Sequence, residues 1–200
     1  MGMVRLLLAD GLAPARYECT VTLGPPVQVQ VHRGRRPVGP TLRYDRPGKM
    51  ASAADVDGDG RLDLLVLVYK TTRYHPNLAW RPFLYTLREG EWVPKWLGSR
   101  VGHPLEEAAL VHTPEGVRLL TIEQFTPGQN GLTLYHWCGF GFWGEWTGPA
   151  VPALSDLVVT DEDKDGVDEV SVVDDGMRRR YAYRDGGYYP VRERDRGEVR

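Results

Sequence analysis

Apolar and polar residues alternate along much of the chain with a period of two, which is typical of β-strands. In the segment VQVQV, Val27, Val29 and Val31 alternate with glutamines, whereas LLVLV at 64–68 is wholly apolar and must be buried. Glycine-containing turns such as REGEW and RDGGYY separate neighbouring segments, as in β-hairpins. The nearest candidate for a helix, PLEEAALV, falls where a strand is expected. The pattern therefore predicts an all-β chain.

An acidic loop occurs twice in the sequence. DVDGDGRLD at 55–63 has a second copy, DEDKDGVDE at 161–169, and strand-like residues follow both. Between them, VHTPEGVRL at 111–119 keeps Gly116 but has only one carboxylate, Glu115. We interpret this middle segment as the same unit without its ligands, because it keeps the glycine and is followed by the strand-like residues LTI.

A hairpin motif repeats in step with the acidic loops. LYTLREGEWVPKWLG at 84–98 matches LYHWCGFGFWGEWTG at 134–148, and YAYRDGGYYP at 181–190 is a third copy. VQVHRGRRPV at 29–38 is a weaker fourth, since Arg36 replaces the large aromatic residue. Each unit of about 40–50 residues thus contains four strands, which is the pattern of a propeller blade.

The repeats predict one small β-propeller domain of four-stranded blades. Three blades are expected at 48–98, 104–148 and 153–192, with a fourth at 4–46 and a C-terminal tail at 193–200. Because four blades are the low end for a closed ring, loss of the N-terminal blade would leave open sheet edges.

Composition narrows the functional classes. The chain has 200 residues, of which 42% are hydrophobic, and its net charge of −2 argues against a dedicated nucleic-acid binder. No apolar run is long enough for a membrane span, and the apolar core of the first ten residues is too short for a secretory signal. Cys19 and Cys138 are the two cysteines, and a single possible disulfide does not indicate whether the protein resides in an oxidising or a reducing compartment.

The acidic loops have the chemistry of calcium sites. Carboxylates at positions 1, 3, 5 and 9, a carbonyl at position 7 and a glycine at position 6 supply oxygen ligands around a sharp turn. The expected ligands are Asp55, Asp57, Asp59, Asp63 and the carbonyl of Arg61 in the first loop, and Asp161, Asp163, Asp165, Glu169 and the carbonyl of Val167 in the second. Asp168 is an alternative to Glu169, and an acidic turn without metal is the alternative for either loop. The first loop matches the pattern more closely, since the second has Glu at position 9 and contains Lys164.

The loops are not EF-hands, which need glutamate at position 12 and flanking helices. Position 12 is Val66 in one copy and Val172 in the other, and strands follow. The pattern instead resembles the FG-GAP or VCBS repeats of integrin-α-type propellers over about residues 48–192, although the FG and GAP tripeptides are poorly kept. The resemblance implies one or two bound Ca²⁺ ions, and a location at the cell surface or outside the cell.

Catalytic motifs are not evident in the sequence. The serines lie in no nucleophile-elbow context, the five histidines lack metal-ligand spacing, and GFGFWG lacks the lysine and helix of a phosphate loop. A calcium-stabilised binding or scaffold module for a protein or carbohydrate ligand is therefore favoured over an enzyme. The alternatives are a polysaccharide lyase or hydrolase on the same propeller, and a subunit that self-assembles through its basic 33–49 and acidic 156–175 stretches.

Aromatic residues at equivalent positions of the repeats are expected to pack between neighbouring blades. The residues that do not repeat are better candidates for binding a partner, because binding residues concentrate in loops. Most of them lie in the insertion KTTRYHPNLAWRPF, which we interpret as a loop between the second and third strands of its blade. The candidates are Tyr74, His75, Trp80, Arg81 and, in the next unit, Trp143.

Overall fold

The protein is a four-bladed β-propeller. The computed structural model describes the backbone of residues 3–10, 13–22 and 26–191, and the side chains of residues 20–22 and 26–191. Within these residues all regular structure is β: sixteen strands form four antiparallel sheets of four consecutive strands each. The predicted fold is confirmed, including the fourth blade at the N terminus.

Each blade follows the chain without exchange of strands. Blade 1 contains β1 (Met3–Asp10), β2 (Ala13–Thr22), β3 (Val27–Arg33) and β4 (Arg36–Tyr44). Blade 2 contains β5 (Gly48–Ala54), β6 (Asp63–Thr72), β7 (His75–Arg88) and β8 (Glu91–Leu97). Blade 3 contains β9 (Leu105–Thr113), β10 (Gly116–Thr126), β11 (Gln129–Trp137) and β12 (Phe142–Thr147). Blade 4 contains β13 (Leu154–Thr160), β14 (Glu169–Asp174), β15 (Met177–Arg184) and β16 (Gly187–Pro190).

The antiparallel order places the connections at two ends of the propeller. The first strands are innermost, since β5 contacts β9 and β9 contacts β13. Connections from first to second and from third to fourth strands share one end, which we call the acidic face because it carries residues 55–62 and 161–168. Connections from second to third strands and between blades share the other end, which we call the hairpin face.

The hydrophobic core lies between the blades. On β6, Leu64, Val66 and Val68 pack toward the valines of blade 1, while Leu65 and Leu67 pack toward blade 3. All five residues of LLVLV are 0% exposed, because this strand is covered on both of its faces. Each such side chain contributes about 1.5–3 kcal/mol of hydrophobic stabilisation, so blade stacking is the main stabilising contact of the fold.

Aromatic side chains join neighbouring blades, as the repeat predicts. The Trp92 indole donates a hydrogen bond to the carbonyl of Pro40 in blade 1 at 2.9 Å. Trp96 of blade 2 packs edge-on against Trp137 and Phe142 of blade 3. Further along the ring, Trp146 of blade 3 packs against Tyr189 of blade 4. These contacts confirm that most of the repeated aromatic residues pack between blades.

Glu107 ties three blades together near the axis. This buried carboxylate on β9 accepts backbone N–H groups from Asp156 (3.1 Å) and Leu157 (2.7 Å), where β13 is irregular. It also pairs with the Lys49 ammonium of blade 2 at 3.0 Å. Glu107 thereby satisfies two donors that the sheet of blade 4 leaves free, while Lys49 compensates its charge.

We predict that Glu107→Ala destabilises the propeller by about 2–5 kcal/mol, because it leaves two backbone donors and one ammonium without their acceptor. Urea unfolding followed by tryptophan fluorescence measures the change. The matched control is Glu106→Ala on the same strand, whose half-exposed residue contributes only its carbonyl to Lys49. Equal stabilities of the two variants would contradict the role of Glu107.

Candidate metal centre and binding residues

The two acidic loops share three hydrogen bonds from backbone N–H groups to carboxylates, and they differ at the fifth N–H, which donates to Asp55 in the first loop and to Asp163 in the second. The first joins β5 to β6 and the second joins β13 to β14, so both lie on the acidic face. In each loop the carboxylate at position 9 accepts a hydrogen bond from the backbone N–H at position 2. The carboxylate at position 1 accepts one from the N–H at position 6, and the carboxylate at position 5 accepts one from the N–H at position 7. The bonds are Val56→Asp63, Gly60→Asp55 and Arg61→Asp59 in the first loop, and Glu162→Glu169, Gly166→Asp161 and Val167→Asp165 in the second.

The loops bring together different subsets of the predicted ligands. In the first, carboxylate oxygens of Asp55, Asp57 and Asp63 lie within 4.8 Å of one another. Asp59 is directed elsewhere, since its Oδ2 pairs with the Arg61 guanidinium at 2.8 Å. Desolvation raises the pKa of Asp59, but the hydrogen bonds and the charge of Arg61, together with the charge of Lys95, outweigh it and hold this pKa below its ordinary value.

In the second loop the clustered carboxylates are Asp161, Asp163 and Asp165, all exposed and within 4.8 Å of one another. Glu169 lies outside this group, and its Oε2 accepts the Glu162 N–H at 2.9 Å. Oxygen ligands about 2.3–2.6 Å from one Ca²⁺ lie at most about 5 Å apart, so the spacing of the three carboxylates suits such an ion. Ion pairs and hydrogen bonds bring no lysine or arginine to these three carboxylates among the described residues.

A lysine ammonium stands at the carboxylates of the first loop. Lys95, on β8 of the same blade, places Nζ 2.7 Å from Asp57 Oδ2, and 3.0 and 2.9 Å from the two oxygens of Asp63. Asp63 is fully buried and the Lys95 side chain is 12% exposed. The first loop, although it matches the calcium pattern more closely, therefore has an internal cation on two of its expected ligands.

The pKa values of this pair reflect burial as much as attraction. Burial raises the pKa of Asp63, and the Lys95 ammonium offsets this only in part. Burial alone would lower the pKa of Lys95, but its hydrogen bonds to Asp57 and Asp63 outweigh that cost and raise it. The ammonium is therefore held in its charged form beside the carboxylates.

Blade 3 contains the same ion pair with its charges exchanged. In the strand register Arg118 of β10 is equivalent to Asp63 of β6. Glu145 is equivalent to Lys95, because each residue occupies the β-bulge of the fourth strand in its blade. Arg118 Nε and Glu145 Oε2 are 2.6 Å apart. The acidic loop is here shortened to the tight turn between Thr113 and Gly116, as expected for a unit without ligands. In blade 4 the register places Val191 at this position, so its loop has no equivalent lysine.

Lys95 was not found from the sequence, and neither was the contact that Asp168 makes with blade 3. The sequence does contain a signal for Lys95. The residue before the repeated tryptophan is charged in both copies, as Lys95 in one and Glu145 in the next. Asp168, the alternative calcium ligand, contacts His112 of blade 3. Its Oδ2 accepts a hydrogen bond from the His112 backbone N–H at 2.6 Å and lies 3.0 Å from Nδ1 of the His112 ring. It thereby joins blades 3 and 4.

The candidate partner-binding residues lie at three separate places. The insertion is not a loop, because β6 and β7 extend through it as a long hairpin that turns at Arg73 and Tyr74. Tyr74 is 77% exposed at this tip, beside the half-buried His75. Trp80 and Arg81 line a cavity near the base of the hairpin. Trp143 is 68% exposed on the outer strand of blade 3, and does not line that cavity.

Comparison with known proteins gives no family assignment. No protein-family model matches the chain, and no curated protein matches it. Within residues 3–10, 13–22 and 26–191 there is no helix long and apolar enough to cross a membrane.

We predict that Lys95→Met lowers the free energy of unfolding by about 3–5 kcal/mol in chelator, because it leaves Asp63 buried without its cation. Chemical denaturation of this variant, of Asp63→Asn and of the double variant measures the coupling between the two residues. Lys70→Met is the control, since Lys70 is half-buried on the same blade but contacts the Phe83 ring instead of a carboxylate. Additive single effects would contradict a direct ion pair.

We also predict that His112 stabilises the contact of blades 3 and 4 most strongly at low pH. The Asp168 hydrogen bond raises the pKa of His112 above its ordinary 6.5, although burial opposes it. Because the folded-state pKa is the higher one, the stabilisation is complete below about pH 6.5 and is lost as the pH rises through the raised value. The difference in melting temperature between the native protein and His112→Gln should therefore shrink as the pH is raised from acidic to alkaline. His75→Gln, at the tip of the β6–β7 hairpin, is the control and should show no such trend.

Proposed function

We propose that this chain is a calcium-stabilised β-propeller that serves as a binding or scaffold module. The observation that carries the proposal is the cluster of Asp161, Asp163 and Asp165 in the second loop, which shares three backbone hydrogen bonds with the first loop. Three carboxylates this close repel one another, and a cation bound between them would remove that repulsion. Calcium is the divalent ion that takes many oxygen ligands in a flexible loop of this kind.

The second loop has further oxygen donors for the ion. Glu169 uses Oε2 for the Glu162 N–H, so its other oxygen remains for a cation or water. The Val167 carbonyl follows the turn at Gly166, which has the positive φ of 87° that favours glycine. With water, these groups would complete the six to eight ligands that Ca²⁺ takes.

The first loop is proposed as the weaker site. A calcium ion there would need Asp57 and Asp63, both of which already contact the Lys95 ammonium. The ion and the ammonium therefore compete for the same two carboxylates. We propose one ion at the second loop, and a second at the first loop only where Lys95 is displaced.

The role proposed for calcium is structural. Each loop joins the two inner strands of its blade, so an ion that holds the loop also holds the register of those strands. An ion that binds only the folded state adds about 2.7 kcal/mol of stability at a hundredfold excess over its Kd. The paired loops and the blade pattern also support the proposal that the chain is related to the FG-GAP and VCBS repeats, which act where calcium is plentiful.

We predict that chelation of calcium lowers the melting temperature, and that Asp163→Asn abolishes most of this response. Asp57→Asn should abolish little of it, because Lys95 already neutralises the first loop. Differential scanning calorimetry in calcium and in chelator measures the response, and titration calorimetry counts the ions. Lys95→Met should add a second ion.

The matched control is Asp185→Asn, an exposed acidic residue at a turn outside both loops, where asparagine tolerates the positive φ of 49°. Identical melting curves with calcium and with chelator would overturn the proposal. A calcium response that survives Asp163→Asn but not Asp57→Asn would place the ion in the first loop instead.

A further inference from the structure

A cavity lies on the hairpin face between blades 2 and 3. It has a volume of about 160 Å³ and is bounded by the start of β7 and by the connection from β8 to β9. Its polar lining consists mainly of Arg81, Arg100 and His103. The other walls are largely apolar and include Trp80, Val101 and Leu105. The cavity thus combines a positive charge with an apolar enclosure.

Arg81 is a buried cation with an unused donor. Its residue is only 6% exposed, and Nε is buried without any hydrogen-bond partner. One Nη donates to the backbone carbonyl of Asn77 at 3.1 Å, and no ion pair joins Arg81 to a carboxylate among the described residues. Buried guanidinium groups are normally paired, because an uncompensated charge in an apolar environment costs several kcal/mol.

A second arginine, Arg100, adds to the positive charge of the cavity. Arg100 lines the same cavity, and among the described residues it also has no carboxylate within ion-pair distance. Burial, and then the charge of Arg100, lower the pKa of Arg81 below its ordinary value, so a second positive charge acts on this guanidinium. His103 is held beside them by its backbone N–H, which donates to the buried Glu123 carboxylate at 2.9 Å.

We propose that this cavity binds a small carboxylate, with Arg81 as the group that recognises it. The planar guanidinium presents parallel pairs of N–H donors that match the two oxygens of a carboxylate. The volume equals about five water molecules at about 30 Å³ each, so the carboxyl group must be carried on a short apolar body or be the end of a longer ligand. Trp80 and Leu105 supply the apolar contacts for that body.

Carboxylate is favoured over phosphate and sulfate by the number of donors. Tetrahedral oxyanions have additional oxygens that need partners, whereas most of this cavity is apolar. The inference rests on the proposed binding function and names its ligand class. The cavity and the acidic loops lie at opposite ends of the strands, so carboxylate binding does not depend on calcium binding.

The test titrates the full chain with propionate, with acetate and butyrate as size variants, and with phosphate and sulfate at equal ionic strength. The readout is the Nε–H resonance of Arg81 in ¹⁵N-labelled protein, assigned with Arg81→Lys. We expect a saturable shift with propionate at a Kd on the order of 1 mM, as is usual for so small a ligand. Each titration is run in calcium and in chelator, which separates the failure of this inference from failure of the calcium proposal.

Variants distinguish recognition from a structural role. Arg81→Lys keeps the charge but loses the fork, and should weaken propionate binding at least tenfold, by about 1.4 kcal/mol. Arg81→Met should abolish binding without lowering the melting temperature in ligand-free buffer, because an unpaired buried charge is removed. Arg88→Met, on the exposed far end of the same strand, should change neither quantity.

Three results would overturn the inference. The first is the absence of a saturable Arg81 shift with every carboxylate, and the second is propionate binding that persists in Arg81→Met. The third is tighter binding of phosphate or sulfate than of the carboxylates. If Arg81→Met does not fold, Arg100→Gln replaces it and should weaken propionate binding severalfold, and unchanged affinity would count against the site.

Discussion

Stacking of neighbouring blades is the contact on which the rest of the structure depends. A four-stranded sheet of this size cannot bury enough apolar surface alone, so each blade is stable only against its neighbours. The apolar segment of β6 is covered by blade 1 on one face and by blade 3 on the other. The same stacking buries the polar residues at the ends of these strands, and their charges must then be compensated within the protein.

Opposite charges or hydrogen-bond donors compensate the buried acidic residues. The fully buried Glu123 accepts the Thr121 and Tyr135 hydroxyls and the His103 N–H. Asp63 has Lys95, Arg118 has Glu145 with the signs exchanged, and Glu107 has Lys49 together with two backbone donors. Equivalent positions in two blades have thus kept a pair of opposite charges while its polarity changed. Arg81 is the exception among these residues, because its only acceptor in the described part of the chain is a single carbonyl. This contrast is the reason why a ligand is inferred at Arg81 and not at the other buried charges.

The two ends of the propeller differ in chemistry. The acidic face carries clustered carboxylates, a chemistry that suits a cation. The hairpin face carries a cavity lined by arginines, a chemistry that suits an anion. The strands between them are the rigid part of the molecule, since their side chains are close-packed between blades. The proposed structural ion at one end and the proposed ligand at the other would therefore bind without contact between the two sites.

The sequence by itself determined the architecture, because blade repeats are local: alternating valines, glycine turns and tryptophans at fixed spacing specify four strands wherever they occur. It also identified both acidic loops, whose carboxylates are neighbours along the chain. It could not show that Lys95 lies against Asp57 and Asp63, that Asp168 turns to His112, or that the insertion at 70–83 is a hairpin. These features depend on strand register and on contacts between distant residues, and the cavity at Arg81 and Arg100 exists only because two blades meet there. Only the tertiary structure could decide which charges are paired and which remain without a partner.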